Sequence, residues 1–184
     1  MMRLRPRTVT DLSELWRWVY DLPDAEWKRW DAPYLHEARA IPPLTLARYL
    51  TQAMSDLSSP HQQIIEIDGA MSGIVTRRWD PPEVGGWLEL GIVIFDPVHW
   101  GGGYGTTALR EWTRRSLQET PAHLLTLTTW SGNQRMVRAA ERVGYRECGR
   151  VPEARLWEGQ RYDSVQLALL RREWMERDNS AAPG

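Results

Sequence analysis

The spacing of apolar and polar positions predicts that the first third of the chain is helical. Apolar residues recur at helical intervals in LSELWRWVY, directly after Thr10 or Asp11, and a second amphipathic helix is predicted in TLARYLTQAM from Thr45. The segment between them, DAEWKRWDAPYLHEARAIPP, contains prolines and has no apolar period. We therefore expect an ordered loop or broken helices there.

The remainder of the chain is predicted to form a mixed sheet with two further helices. The alternation in QQIIEIDGAMSGIVTRR, with a turn at DGA, predicts a β-hairpin, and a third strand is predicted in WLELGIVIF. Later strands are expected in HLLTLTTW and on both sides of the EGQ turn. Helices are expected in TTALREWTRRSLQE, ending at Glu119, and in NQRMVRAAERVGY, ending at Gly144. This order indicates a mixed α/β fold.

Length and composition fit a single domain. A chain of 184 residues is long enough to bury a core without disulfides, so we expect one domain over 1–177 and a flexible C-terminal tail, DNSAAPG, over 178–184. The single cysteine, Cys148, has no partner for an internal disulfide and is assigned to buried packing rather than to a nucleophilic role.

Charge and hydropathy restrict the partners and the location. A net charge of −1 argues against a general nucleic-acid-binding protein. No apolar run is long enough to cross a bilayer, and the start of the chain lacks a secretory apolar region, so a cytoplasmic protein without membrane contact is expected. The four histidines show no metal-ligand spacing, so no metal is expected.

The stretch HWGGGYGTT concentrates four glycines between a predicted strand and a predicted helix that begins near Tyr104. Glycine costs about 1 kcal/mol relative to alanine in a regular element, so this cluster needs a reason. A glycine-rich turn at a helix N-terminus exposes backbone N–H groups where the helix dipole also favours negative charge. The stretch therefore predicts a phosphate-binding loop.

Two familiar nucleotide motifs fit this loop poorly. A P-loop requires a lysine after its last glycine, whereas Gly105 is followed by Thr106 and Thr107. Gly103, Gly105 and Ala108 match G-x-G-x-x-A of a dinucleotide-binding fold, but no acidic residue ends the next strand. A dinucleotide-dependent oxidoreductase thus rests on a weak match alone.

A wider pattern resembles a known family. LELGIVIFDPVHWGGGYGTTALREW followed by TTWSGNQRMVRAAERVGY is similar to the acyl-CoA-binding core of GCN5-related N-acetyltransferases (GNAT), in particular the RimJ/RimL-like (ribosomal-protein alanine acetyltransferase-like) branch with its WGxGYxTxAL pattern. The resemblance implies the GNAT acyl-CoA N-acyltransferase fold, a splayed central β-sheet with helices on both faces. Strands 87–95 and 123–130 would separate, and the pantetheine arm of acetyl-CoA would lie between them.

The same resemblance implies the cofactor contacts. The CoA pyrophosphate would be held by the backbone amides of Gly101, Gly102, Gly103, Tyr104, Gly105 and Thr106. The backbone of Val93, Ile94 and Phe95 would pair with pantetheine, and one of their N–H groups would stabilise the oxyanion. Asn133 would bind pantetheine or the acetyl group, and Arg135 and Arg138 would reach the phosphates unless they are merely solvated.

Glu89 is the candidate general base. An α-amino group titrates near pH 8, so a modest base acting through water is sufficient, although an exposed strand glutamate is the alternative interpretation. The tyrosine or serine with which related enzymes protonate the thiolate would align with Ala140 or Met136, so neither acid is present. Thr107 also replaces a glutamate common at this helix start.

The acceptor is expected to be a cationic amine. The resemblance places the acceptor groove at the first helices, their connecting loop and the last strand pair. That loop contains Trp27, Trp30, Asp31 and Tyr34, and the hairpin contains Trp157, Arg161, Tyr162 and Asp163. The aromatic and acidic side chains among them would suit a cationic amine. The leading hypothesis is transfer of acetyl from acetyl-CoA to a protein N-terminus or a small-molecule amine by direct attack in a ternary complex. A catalytically silent acyl-CoA-binding sensor or partner module is the alternative. A homodimer is expected by family analogy alone.

Overall fold

The computed structural model describes residues 1–38 and 44–181, with side chains described except at 36–38 and 178–181. The end of the predicted broken-helix segment, 39–43, and the end of the predicted tail, 182–184, lie outside the described residues. The structure divides into two compact units, one comprising 1–76 and 92–108 and the other 77–91 and 109–184. The single domain over 1–177 stays a prediction.

Six α-helices occur in the described residues. They are α1 (Val9–Trp16), α2 (Pro33–Ala38), α3 (Leu46–Met54), α4 (Tyr104–Glu119), α5 (Gln134–Val143) and α6 (Arg171–Ala181). A π-helical turn, Arg17–Asp21, continues α1, and 3-10 turns cover Glu26–Arg29, Glu83–Gly85 and Pro97–His99. The predicted helices are confirmed, whereas α6 was not predicted because its sequence is polar around almost its whole circumference.

Seven strands of the described part of the chain form one mixed sheet. They are β1 (Met2–Arg5), β2 (Gln62–Ile67), β3 (Ala70–Trp79), β4 (Trp87–Ile94), β5 (Leu124–Trp130), β6 (Arg146–Trp157) and β7 (Gln160–Leu170), in the order β1-β2-β3-β4-β5-β7-β6. The pair β4 and β5 is parallel, and β1–β2, β2–β3, β5–β7 and β6–β7 are antiparallel. The predicted mixed α/β class is confirmed.

Strand β1 was also missed by the pattern analysis, because its arginines hide the alternation. Leu4 is buried, while Arg3 and Arg5 bond the carboxylate of Glu66 on β2 at 2.6 and 2.5 Å. Ion pairs across neighbouring strands thus replace the apolar contacts by which a strand is usually recognised.

The first unit has an apolar core beneath α1. Its buried members are Leu12, Leu15, Trp27, Ile64, Met71 and Phe95. The start of α1 is fixed by Asp11, whose carboxylate accepts bonds from both terminal nitrogens of Arg5 at 2.7 Å and from the backbone N–H of Thr8 at 2.7 Å. Burial alone would raise the pKa of Asp11, but the bonds from Arg5 and Thr8 outweigh it, so this pKa is lowered.

The second unit buries Trp112, Leu125, Tyr145 and Leu167 among its apolar residues. Arg171 links three carbonyl groups at the end of α4, donating to Ala122, Leu117 and Thr120 at 2.7, 2.8 and 2.7 Å. Of these carbonyls, that of Leu117 belongs to the last turn of α4, where carbonyls have no partner within the helix, and those of Thr120 and Ala122 follow the helix. The guanidinium thus lies where the helix dipole favours a cation. No helix among the described residues is both long and apolar enough to span a membrane.

Candidate active site

The glycine loop leads directly into α4. Gly101 and Gly103 have φ angles of 82° and 80°, a region that residues with a side chain rarely adopt. The first helical bond runs from the N–H of Thr107 to the carbonyl of Gly103 at 3.0 Å. The N–H groups of Tyr104, Gly105 and Thr106 precede that bond and lack a partner within the helix. The loop therefore combines a backbone conformation that glycine adopts without strain with N–H donors that have no partner within the helix.

Thr107 has a structural role at the start of α4. Its Oγ1 donates to the carbonyl of Gly103 at 3.1 Å, the same oxygen that receives the first helical bond. The hydroxyl thus ties the first turn of α4 to the glycine loop without adding negative charge beside it. A glutamate at this position would add such a charge where an anion is expected to bind.

Two side chains connect the glycine loop to the end of β4. The carboxylate of Asp96 accepts a bond from the N–H of Val98 at 2.9 Å and begins the 3-10 turn Pro97–His99. The indole N–H of Trp100 donates to the carbonyl of Ile94 at 3.0 Å. Because both bonds are local in sequence, this part of the chain folds into a fixed connection between strand and loop.

The backbone at the end of β4 is partly occupied. The N–H of Phe95 donates to the carbonyl of Ser72 on β3 at 2.9 Å, and the carbonyl of Ile94 accepts Trp100. A Cβ at Gly73 would lie 2.2 Å from the carbonyl oxygen of Val93, so the glycine permits this close approach of β3 and β4.

Strand geometry then identifies the N–H group that faces away from β3. Backbone groups of successive residues point to opposite edges of a strand, so Val93 and Phe95 point toward β3 and Ile94 points to the other side. The N–H of Phe95 is therefore engaged with Ser72, whereas the pantetheine contact expected for residues 93–95 stays a prediction. The N–H of Ile94, on the edge of β4 that faces away from β3, is the remaining candidate donor.

The side chain of Phe95 is buried in an aromatic cluster. Trp18 stacks on it with ring centroids 5.7 Å apart, and Trp27 contacts its edge at 5.3 Å. Trp27 is only 5% exposed and donates its indole N–H to the carbonyl of Trp18. Trp27 therefore packs against the end of β4 from the core. Its predicted contact with an acceptor stays a prediction, and only a small part of its side chain is exposed for such a contact.

Sequence analysis did not identify Trp18. The apolar period of the first helix selects Leu12, Leu15, Trp16 and Val19, but α1 becomes π-helical at Arg17. That turn alters the angular spacing of side chains and brings Trp18 onto Phe95. The only signal in the sequence was the unusual number of tryptophans, 11 against one phenylalanine.

Glu89 lies on β4 where the parallel ladder to β5 ends. That ladder pairs Trp87, Leu88 and Glu89 with 124–126, and Leu90 and Gly91 lie beyond it. The indole of Trp87 donates to the hydroxyl of Thr126 at 2.7 Å, so the paired end is fixed. The side chain of Glu89 is 27% exposed, and one of its oxygens accepts a bond from Arg78 at 2.7 Å. A carboxylate is therefore held at the point where the ladder stops.

The start of α5 carries the predicted Asn133. Its Oδ1 accepts a bond from the N–H of Met136 at 3.1 Å, so it caps the helix. Arg135 and Arg138 lie on the first turns and are exposed to solvent. Ala140 is fully buried. Ligand contacts of Asn133, Arg135 and Arg138 stay predictions.

The predicted acceptor residues fall in both units. In the first, Asp31 is exposed and Trp30 and Tyr34 are partly buried. In the second, Tyr162 packs against Trp130 at 4.7 Å and against Trp157 at 6.4 Å, and its hydroxyl donates to Gln160. The aromatic pairing of Trp157 and Tyr162 is a clear feature of the last hairpin, although its contact with an acceptor stays a prediction.

Two further side chains lie in the last hairpin, Asp163 on β7 and Cys148 on β6, and the acceptor contact expected of Asp163 stays a prediction. Asp163 accepts bonds from Arg150 at 2.7 Å and from the N–H of Glu153 at 3.0 Å, so it stabilises the irregular part of β6 where Glu153 has a φ of 52°. Cys148 is exposed on β6, and the expectation that it is buried is therefore wrong. Strand β6 ends the sheet and leaves this side chain in solvent. Within the described chain, no three His, Cys, Asp or Glu side chains cluster as metal ligands.

Comparisons with known proteins agree with this architecture. The sequence pattern of the family described as Acetyltransferase (GNAT) domain matches residues 2–146. Among solved structures, an acetyltransferase (GNAT family) from Bacillus anthracis is 16% identical, with a TM-score of 0.70 over 94% of this chain and 96% of the other. Mutant forms of the spermidine/spermine N-acetyltransferase SpeG from Vibrio cholerae are 17% identical, with a TM-score of 0.73 over 96% and 99%.

A ribosomal-protein-alanine N-acetyltransferase from Brucella melitensis is 19% identical, with a TM-score of 0.68 over 91% of this chain and 99% of that protein. No curated protein matches the chain in sequence. Because these identities are low, the structural similarities establish the fold and leave the acceptor undetermined.

Proposed function

Because the chain belongs to the GNAT acetyltransferase family, we propose that it transfers the acetyl group of acetyl-CoA to a primary amine by direct attack in a ternary complex. The observation that carries this proposal is the glycine loop at the N-terminus of α4, with Gly101 and Gly103 at positive φ and the first three helical N–H groups without a helical partner. Such a loop fits a pyrophosphate, because several donors converge where no side chain blocks the approach.

The end of β4 supplies a second proposed contact. The N–H of Ile94, on the strand edge away from β3, would pair with the pantetheine arm or stabilise the oxyanion of the tetrahedral intermediate. Trp100 holds the carbonyl of Ile94, and Trp18 and Trp27 hold the ring of Phe95. A donor on so well supported a backbone needs little reorganisation when charge develops on the substrate.

Glu89 is the proposed general base. Acetyl-CoA supplies an acyl thioester, which only the neutral form of an amine attacks. Glu89 would accept the amine proton through a water molecule, for which its partly exposed carboxylate is suited. With a buried alanine at 140 and a methionine at 136, the departing thiolate would take its proton from water; an ordinary thiol pKa, about 8.5, makes this acceptable.

The class of the acceptor is proposed from aromatic and acidic side chains that are exposed or partly exposed. In the first unit, Trp30, Asp31 and Tyr34 offer aromatic and anionic groups, which favour a cationic amine. In the second unit, considered by itself, Tyr162 offers a further aromatic group. The RimJ/RimL-like assignment, which favours a protein N-terminus, rests on the sequence pattern around the glycine loop. Small polyamines are the competing acceptors, since a spermidine/spermine acetyltransferase shares the fold.

The test is calorimetric titration with acetyl-CoA followed, in the same sample, by thiol release with a panel of amines. The panel contains short peptides with free N-termini, the same peptides blocked at the N-terminus, and spermidine. Turnover with free but not blocked peptides supports the N-terminal acceptor, and turnover with spermidine alone supports a small-molecule acceptor. Binding without turnover favours the silent acyl-CoA-binding module. Absence of binding would overturn the function of the glycine loop. Sedimentation of the same sample checks the predicted homodimer.

A further inference from the structure

The side chain that contacts the proposed base comes from the neighbouring strand. The N–H of Asp80 donates to the carbonyl of Trp87 at 2.9 Å across the turn between β3 and β4. Arg78 lies two residues before Asp80, and Glu89 lies two residues after Trp87. In antiparallel register, Arg78 is therefore opposite Glu89. Side chains opposite each other on paired strands are close enough to interact directly. The 2.7 Å bond between Arg78 Nη2 and Glu89 Oε2 is thus built into the strand register.

This bond engages only one oxygen of the carboxylate. Among the described residues, no partner is found for Oε1 of Glu89. The strand on the other side offers no competing charge, since Leu125, Thr126 and Leu127 carry none and the Thr126 hydroxyl accepts the indole of Trp87. Arg78 is thus the charged group that faces Glu89 from the strands packed beside it, and Oε1 is left for a water molecule.

The adjacent arginine has a different role. Arg77 is only 3% exposed in its side chain, pairs with Glu119 at 2.8 Å and lies 4.9 Å from the ring of Trp112. Successive residues of a strand point to opposite faces of the sheet, so Arg77 serves the core while Arg78 remains 70% exposed at the carboxylate. The two neighbouring arginines of β3 therefore have separate partners, and only Arg78 contacts Glu89.

From this geometry we propose that Arg78 is a positioning residue for Glu89, holding one carboxylate oxygen so that the other is presented to the attacking amine through water. The inference rests on the proposed role of Glu89 as the general base. A free glutamate side chain samples several rotamers, and only some would place an oxygen within reach of that proton. Holding the carboxylate therefore increases kcat without changing the affinity for acetyl-CoA.

The test is a double-mutant cycle of Arg78→Ala and Glu89→Gln, with Arg78→Lys as the conservative variant. Arg78→Ala is expected to lower kcat about five-fold, leave the KM for acetyl-CoA unchanged, and have less than about a two-fold effect when Glu89 is already Gln. Arg78→Lys should restore most of the loss, because an ammonium still reaches the carboxylate. Arg114→Ala, which removes an exposed arginine paired with Glu111 on α4, is the matched control and should leave kcat unchanged.

Other outcomes separate the positioning role of Arg78 from the role of Glu89 as the general base. An unchanged or increased kcat in Arg78→Ala, or the same loss with and without Glu89, overturns the positioning role. A loss that parallels a raised unfolded fraction in urea titrations also overturns it, since a purely structural contact would act that way. Full activity of Glu89→Gln overturns the base and the positioning role together. Turnover of acetyl-CoA by the unmodified protein then still supports the transferase.

Discussion

Two glycines have the same left-handed backbone conformation, but only one of them is expected to contact a ligand. Gly103 in the α4 loop has a φ of 80°, and Gly69 in the turn between β2 and β3 has a φ of 86°. A Cβ at either position would have no heavy atom within 4 Å. The cost of an alanine is thus conformational at both positions, and any further effect at Gly103 reports on the ligand.

We expect Gly103→Ala and Gly69→Ala each to reduce the free energy of unfolding by about 1 kcal/mol, the usual penalty for a side chain in this backbone region. Only Gly103→Ala should also weaken acetyl-CoA binding, because the added methyl group and the altered loop disturb the pyrophosphate contacts. Urea denaturation and calorimetric titration measure the two effects. Equal acetyl-CoA affinity in both variants would exclude the loop from cofactor binding.

Glu89 makes the sharpest prediction about catalysis. Glu89→Gln keeps the shape and a hydrogen-bonding oxygen but removes the base, so kcat is expected to fall about 100-fold while acetyl-CoA affinity is retained. Steady-state kinetics with the best acceptor of the panel measures this. Glu83→Gln, at an exposed glutamate in the turn before β4, is the control. A loss below about two-fold would mean that Glu89 is an ordinary strand residue.

At the scale of elements, the start of α1 depends on Asp11, which the sequence pattern marks only as a residue typical of a helix start. Asp11 lies in the first turn, where its carboxylate accepts bonds from the N–H of Thr8 and from Arg5, and its side chain is 6% exposed. Arg5 in turn bonds Glu66 of β2. Arg5 of β1 therefore links the start of α1 to β2 through the carboxylates of Asp11 and Glu66.

Asp11→Asn is expected to lower the free energy of unfolding by about 2 kcal/mol at neutral pH, because a buried ion pair and a cap are both weakened. The pKa of Asp11 is lower in the folded than in the unfolded state. The ionised carboxylate therefore stabilises the fold fully above the unfolded-state pKa of about 3.9, and this stabilisation is lost as the pH falls through the folded-state pKa. The variant should therefore lose less stability than the unmodified protein below about pH 4.

Urea titrations across this acidic range check the effect. Asp21→Asn, at an exposed position after the same helix, is the control and should behave like the unmodified protein. Parallel loss of stability with falling pH in the Asp11 variant and the unmodified protein would contradict the assigned charge state.

At the scale of the whole molecule, ligand binding should stabilise the folded chain. Acetyl-CoA at 100 times its Kd is expected to add about 2.7 kcal/mol to the free energy of unfolding. For a chain of this length that corresponds to a rise in Tm of roughly 5–10 °C. Thermal unfolding with acetyl-CoA, pantetheine and NAD measures it. Pantetheine, which lacks the pyrophosphate, should give a smaller shift, and NAD none; a shift with NAD alone would instead favour the dinucleotide interpretation.

The sequence by itself determined the features that depend on local chemistry. Strand alternation, helix period, the turn at DGA, the glycine at the end of α5 and the glycine loop before α4 each depend on a few neighbouring residues, and the structure has them where the sequence predicts them. Strand β1 and helix α6 were missed because their stabilising contacts are distant in sequence, with Glu66 for β1 and, through Arg171, with the carbonyls of Leu117, Thr120 and Ala122 for α6.

Only the tertiary structure decided which groups are available. It engages the N–H of Phe95 with Ser72, buries Trp27 against Phe95, exposes Cys148 on a strand that ends the sheet, and places Arg78 opposite Glu89. Each outcome depends on strand order and register, which join residues far apart in the chain. Local patterns specify how a segment folds, whereas burial and hydrogen-bond partners depend on which segments become neighbours.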